Sequence, residues 1–268
     1  MGLKKLNLRA RLMTHVVLLI LSVPCMLPLI WMISTSLKTD AQIFPSTENI
    51  ASLNSIKILI PNPIRLHNYP EAMSMVPFGT YLQNTLFLCT VTVLGSVLSS
   101  ALVAYGFAHT NFKGKKILFI LMLSTLMLPY QVTMIPNFIL FQKLKWLGTY
   151  LPLTVPAFLG IPFYIFLMTQ FFRTIPKELL EAARIDGCSE LRIFITMILP
   201  LSVPVLATCA LFQFIGTWND FLGPLIYIND PSKYTLAYGL QQFLGALAAP
   251  WAESGLSSWQ AQRCSHCR

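Results

Sequence analysis

The chain has 268 residues, of which 55% are hydrophobic and 11% are charged. Soluble domains carry about 25% charged residues, so a water-soluble enzyme with one buried core is excluded, and the apolar content excludes a disordered chain. What remains is a polytopic membrane protein, and its net charge of +9 then reads as a positive-inside bias rather than as a nucleic-acid surface.

Lys4, Lys5, Arg9 and Arg11 open the chain, ahead of the uncharged run Leu12–Leu37. A signal peptide has a similar basic start, but its apolar region is only about 7–15 residues long. The run is therefore read as a retained first span, preceded by a cytoplasmic N-terminus over residues 1–13. Four further uncharged stretches follow: Ala72–Phe112, Ile117–Gln142, Trp146–Phe172 and Ile193–Asn219. A membrane helix needs about 20 mostly apolar residues. The expected fold is thus an all-α polytopic bundle with five spans, centred on residues 14–34, 81–108, 117–141, 149–171 and 201–228.

Basic residues set the orientation. With the N-terminus inside, Lys4, Lys5, Arg9, Arg11, Lys113, Lys115, Lys116, Arg173, Lys177, Arg184 and Arg192 are cytoplasmic. Lys38, Lys57, Arg65, Lys143, Lys145 and Lys233 then lie outside. The larger group marks the cytoplasmic side. The proline-rich polar segment 38–75 becomes an external loop, long enough for a small subdomain or a docking surface. Prolines within the spans, among them Pro129, Pro136, Pro156, Pro204 and Pro224, are expected to kink helices. The small residues Gly95 to Ala101 suit close helix approach.

The loop 173–200 is the most informative segment. Pro176 and Glu178 suit the start of a helix, and Gly187 suits its stop in the left-handed conformation. Glu181 and Arg184 are spaced to meet on one face. Ser189 can cap a second helix with a stripe of Leu191, Phe194, Ile195 and Ile198. Such a helix–turn–helix can read DNA, but both ends of this one run straight into membrane spans, so nucleic acid is not an expected partner. A plain amphipathic connector at the interface is the alternative reading.

Glu181-Ala182-Ala183, then Gly187, then Met197, Leu199 and Pro200 resemble the EAA motif of ABC importer permeases. The run Ile175–Gly187 and the segment Thr217-Trp218-Asn219-Asp220-Phe221 are similar to the carbohydrate-uptake branch, and in particular to its smaller maltose-type permease subunit. Met197 stands where that motif usually has Ile. The resemblance covers residues 12–245 and implies a multi-pass protein of a bacterial or archaeal cytoplasmic membrane, with a permease domain over residues 14–245. It further implies a coupling helix seated in an ATPase subunit. Glu181 would make its polar contact, Ala182 and Ala183 would permit close approach, Gly187 would set the turn, and Leu199 and Pro200 would complete the motif. The partners implied are a second permease subunit, an ATP-binding subunit dimer, an extracytoplasmic sugar-binding protein and membrane lipid. The chain itself would bind no cofactor and perform no covalent chemistry. It has no G-x-x-x-x-G-K-[ST] loop, so ATP and Mg belong to the ATPase. The function implied is sugar import by alternating access, against an ion-coupled secondary carrier as the alternative.

Asp220 is the one carboxylate inside an expected span, which makes Trp218, Asn219 and Asp220 candidates for a gate or translocation path. No metal site is expected. Cys264 and Cys267 form an isolated C-x-x-C pair around His266, a weak metal signal by itself. The resemblance implies six spans, whereas residues 246–268 are too polar for a membrane helix and are read as an atypical, frameshifted or truncated tail, with the sixth span lost or replaced.

Overall fold

In the computed structural model, residues 8–43 and 60–245 are described. The tail 246–268 with its C-x-x-C pair, the first seven residues and the segment 44–59 lie outside them. All regular structure among the described residues is helical. The chain divides into two compact units, Met1–Val76 and Pro77–Arg268.

The first unit contains α1 (Leu8–Ser36), the short α2 (Asp40–Ile43) and α3 (Asn68–Met75). Pro24 and Pro28 lie inside α1, whose apolar side chains are exposed over Leu12–Ile33. Exposure of that kind is what a lipid-facing helix shows. The loop then folds back on the end of α1. Asn68 donates from Nδ2 to the carbonyls of Ser36 (3.0 Å) and Lys38 (2.9 Å), and the hydroxyls of Ser36 and Tyr69 lie 2.7 Å apart.

The second unit is organised around α4 (Phe78–His109). It is followed by α5 (Lys115–Thr125), α6 (Tyr130–Lys143), α7 (Leu151–Thr154) and α8 (Pro162–Phe172). Next come α9 (Lys177–Ile185), α10 (Glu190–Ile193), α11 (Leu199–Leu201), α12 (Val203–Trp218) and α13 (Leu222–Tyr227). Residues 236–245 are helical again. The long α4 packs against both α8 and α12. Its small residues let the turn ahead of α8 come close, as expected of them. Gly95 lies so close to the Phe158 ring that a Cβ there would sit 2.8 Å from it, and Ser100 Oγ accepts the Ile161 N–H at 3.0 Å.

Among the described residues, three helices are long and apolar enough to cross a membrane, Leu12–Ser36, Phe78–His109 and Leu151–Phe172, or up to five if each of two bent pairs is one span. The third and fifth stretches are sharply bent, at the prolines expected to kink them. α5 and α6 meet at 97°, across a turn that ends on Pro129 with ψ of 143°. Proline has no N–H to continue the ladder and drives the residue before it out of the helical region. The chain from Glu190 to Leu201 meets α12 at 80°, immediately before Pro204, and α12 itself ends at Trp218 rather than running to residue 228.

Candidate functional site

The 173–200 connection forms the helix–turn–helix that its residues suggest. Pro176 directly precedes α9, Glu178 lies in its first turn and Arg184 in its last. Gly187 adopts φ of +80°. Its N–H reaches the Arg184 carbonyl (3.0 Å) while the Cys188 N–H reaches that of Ala183 (3.0 Å). These two bonds make a Schellman ending, which satisfies carbonyls that the helix would otherwise leave open. Ser189 Oγ accepts the Arg192 N–H at 3.4 Å and opens the second helix.

Burial divides α9 into two faces. Leu180 and Ala183 are buried in a core with Phe172, Ile175, Ile193, Phe194 and Ile198. Leu179, Glu181, Ala182 and Ile185 face outward, and Ile185 is 86% exposed. The two alanines of the motif thus separate: Ala182 is open to a partner, whereas Ala183 packs inward. Leu199 packs on the same core and Pro200 is exposed.

Two local expectations need correction. Arg184 does not pair with Glu181; its Nε donates to Glu190 Oε1 at 2.7 Å and its Nη2 to Oε2 at 3.2 Å. The Gly187 turn carries Glu190 back over the end of α9, where a bidentate carboxylate fits the guanidinium better than a neighbour on the same helix. The buried stripe of the second helix is also shifted. Ile193, Phe194 and Ile198 are buried while Leu191 and Ile195 are exposed; the π turn Phe194–Ile198 widens the helix so that Ile198 falls on the same side as Ile193 and Phe194.

Glu190 also accepts a hydrogen bond from the Tyr105 hydroxyl of α4, at 2.5 Å. The Arg184 guanidinium first, and then this hydroxyl, hold the Glu190 carboxyl below the usual carboxylate range. Sequence reading missed both Tyr105 and Glu190, since nothing local links residues that far apart.

The second candidate group lies at the end of α12. Asp220 Oδ1 accepts the Gly223 N–H at 3.0 Å and so caps α13. Gly223 is needed there, because a Cβ would strike the Asp220 carboxylate and come within 2.8 Å of Leu153. Asp220 lines a cavity of about 190 Å³ with Gln213, Thr217 and Thr235 and the apolar Leu88, Leu153 and Pro224. A polar thread leads into it: Tyr164 donates to Gln213 Oε1 (3.2 Å), Gln213 Nε2 donates to Thr217 Oγ1 (3.1 Å), and Thr217 and Thr92 hydroxyls lie 3.0 Å apart. Trp218 and Asn219 do not line the cavity. Trp218 stacks on Phe214 with centroids 5.5 Å apart, and Asn219 Nδ2 bonds the Ile215 carbonyl at 2.8 Å. Sequence reading passed over Gln213 and the cavity role of Thr217, although polar residues in an apolar helix were the signal that could have found them. Among the described residues no three His, Cys, Asp or Glu side chains are grouped to hold a metal ion.

The family described as "Binding-protein-dependent transport system inner membrane component" matches residues 96–256. The "Arabinooligosaccharides transport system permease protein AraQ" of Halalkalibacterium halodurans is 37% identical over 75% of this chain and 71% of its own length. The "Probable ABC transporter permease protein YurM" of Bacillus subtilis is 34% identical over 84% of this chain and 71% of its own. A crystal structure of a bacterial ABC transporter involved in alginate import superposes with a TM-score of 0.75 at 24% identity, covering 93% of this chain and 88% of that one. This last likeness establishes the fold. With the matched segment including the 173–200 loop and Asp220, the chain belongs to the inner membrane components of binding-protein-dependent transport systems, the permease subunits of ABC importers.

Proposed function

We propose that this permease imports a sugar or oligosaccharide by alternating access, with ATP and Mg held by a separate ATP-binding subunit dimer. The transporter would further contain a second permease subunit and an extracytoplasmic sugar-binding protein. The name of AraQ, a permease for arabinooligosaccharides, supports the substrate class. The N-terminus and the 173–200 loop face the cytoplasm, in line with the excess of Lys and Arg on those segments. The chain itself carries out no covalent step.

The observation that carries this reading is the outward face of α9. Glu181, Ala182 and an almost fully exposed Ile185 form a rigid surface anchored from behind by Leu180 and Ala183. One charge, one small residue and one apolar knob suit a protein cleft better than water, since an isolated exposed isoleucine gains from burial. Seated in an ATPase cleft, the helix would pass ATPase closure to α8 and α12 as a rigid-body motion. Leu199 and Pro200 support the start of that second arm. Asp220, with Gln213 and Thr217, would shape a hydrated gate or path within this subunit, with Trp218 and Asn219 fixing the end of α12.

Proteoliposomes holding this chain with its second permease, ATPase and binding protein test the proposal against a panel of radiolabelled oligosaccharides. ATP-dependent uptake of at least one is the expected result. Uptake driven by an ion gradient and indifferent to ATP would establish the secondary-carrier reading instead.

A further inference from the structure

The covalent chain links α9 to α8 on one side and, through α10 and α11, to α12 on the other. It offers no link to α4, the helix on which both α8 and α12 pack. The Glu190 carboxylate supplies one. It accepts two bonds from Arg184 of α9, at 2.7 and 3.2 Å, and one from Tyr105 of α4, at 2.5 Å. Three elements thus meet on one side chain.

The arrangement is more than contact. The buried face of α9 is apolar, and apolar burial is non-directional, so it anchors the helix without pairing any one group of the loop with a group of α4. A carboxylate shared between a guanidinium and a phenol is directional and charge-assisted. Tyr105 is itself fixed, being 5% exposed with its ring 5.4 Å from Phe194 and 5.5 Å from His109. Its hydroxyl therefore presents an anchored donor to a loop that has no other hydrogen-bonded side-chain tie to α4 among the described residues.

We propose that Tyr105, Glu190 and Arg184 form a positioning clamp through which movement of α9 is passed directly to the end of α4. The inference rests on the coupling reading of α9 and adds a third output helix to it. Tyr105 and Glu190 are positioning residues in this proposal, acting through the geometry of the loop.

The test compares the assembled transporter with the same complex carrying Tyr105→Phe, using hydrogen exchange with and without ATP and vanadate. Phenylalanine keeps the ring between Phe194 and His109 and removes only the hydroxyl. In the parent complex, trapping is expected to change exchange both in residues 177–193 and at the end of α4, residues 101–109. In Tyr105→Phe the loop response is expected to persist while the α4 response falls about fivefold, the scale of losing one hydrogen bond to a partly exposed charged group. Glu190→Met, close in size and without a strong acceptor for the Tyr105 hydroxyl, is expected to reproduce this, and also serves if Tyr105→Phe does not assemble. A merely structural role would instead loosen both segments before ATP is added, leaving their responses in proportion. An α4 response in both variants equal to that of the parent overturns the clamp while leaving the coupling reading intact. If trapping leaves residues 177–193 of the parent unchanged, the coupling reading fails and the clamp fails with it.

Discussion

Gly187 sits at φ of +80° with nothing within 4 Å of where a Cβ would be. Its requirement is therefore conformational, not spatial. Left-handed backbone costs a side-chain-bearing residue about 1–2 kcal/mol, less for asparagine and most for β-branched residues. Gly187→Asn should accordingly stay close to the parent in thermal stability, with Gly187→Ala lower by about 1 kcal/mol and Gly187→Val lower still. Equal stability of the three variants in detergent would show that the turn relaxes to another conformation. Glu190 makes a second residue-scale prediction, in its pH dependence. Its carboxyl is held low by Arg184 and Tyr105. The stabilisation is thus complete above the ordinary carboxylate pKa of about 4.3 and is lost as the pH falls through the lower folded value. Arg184 and Glu190 are 39% and 50% exposed, so water screens the pair and the contribution is small, about 0.5 kcal/mol. The stability difference between the parent and Glu190→Gln should be present at pH 7 and close as the pH falls below 4. A difference that stays constant to pH 3 would show that the charge on Glu190 contributes nothing.

At the scale of elements, what was legible followed the range of the signal. The α9 stop at Gly187 and the Ser189 cap were readable because a left-handed glycine and a serine cap act within a few residues of themselves. The Tyr105–Glu190 bond was not, because its partners are 85 residues apart and only the packing of α4 on the loop brings them together. The same limit applies to the spans. An uncharged window such as Ile117–Gln142 reports that a segment prefers lipid but carries no direction, so a 97° bend between α5 and α6 leaves its hydropathy unchanged. Pro129 was the local trace of that bend. The shifted stripe of the second helix was hidden for a related reason. A π turn keeps the residues apolar and alters the phase between those before and after it, so a stripe at regular α-helical spacing took in Ile195 and passed over Ile193. Asp220 was singled out as a lone intramembrane carboxylate, whereas Gln213, which shares its cavity, was passed over because it is uncharged.

The whole molecule is a permease, and the orientation proposed for it rests on the placement of its basic residues. Single cysteines placed at Lys116 and Lys233, in a background lacking the native cysteines, should label oppositely in intact cells. An impermeant maleimide is expected to reach Lys233→Cys from outside, and Lys116→Cys only after the membrane is opened. Labelling of Lys116→Cys in intact cells would invert the topology and move α9 away from any cytoplasmic ATPase. Within that proposed topology, α9 is the surface through which the proposed ATPase would drive the chain. Capture of partners is therefore the most direct measurement. The chain, tagged at its N-terminus, is purified from detergent-solubilised membranes beside Glu181→Lys and Ile185→Asp, both on the exposed face of α9 and neither part of its core. The ATPase is expected to be recovered with the parent and lost from both variants, with the second permease retained in all three. Recovery of the ATPase in equal amount with all three would contradict the account, because the complex would then be assembled through some other surface.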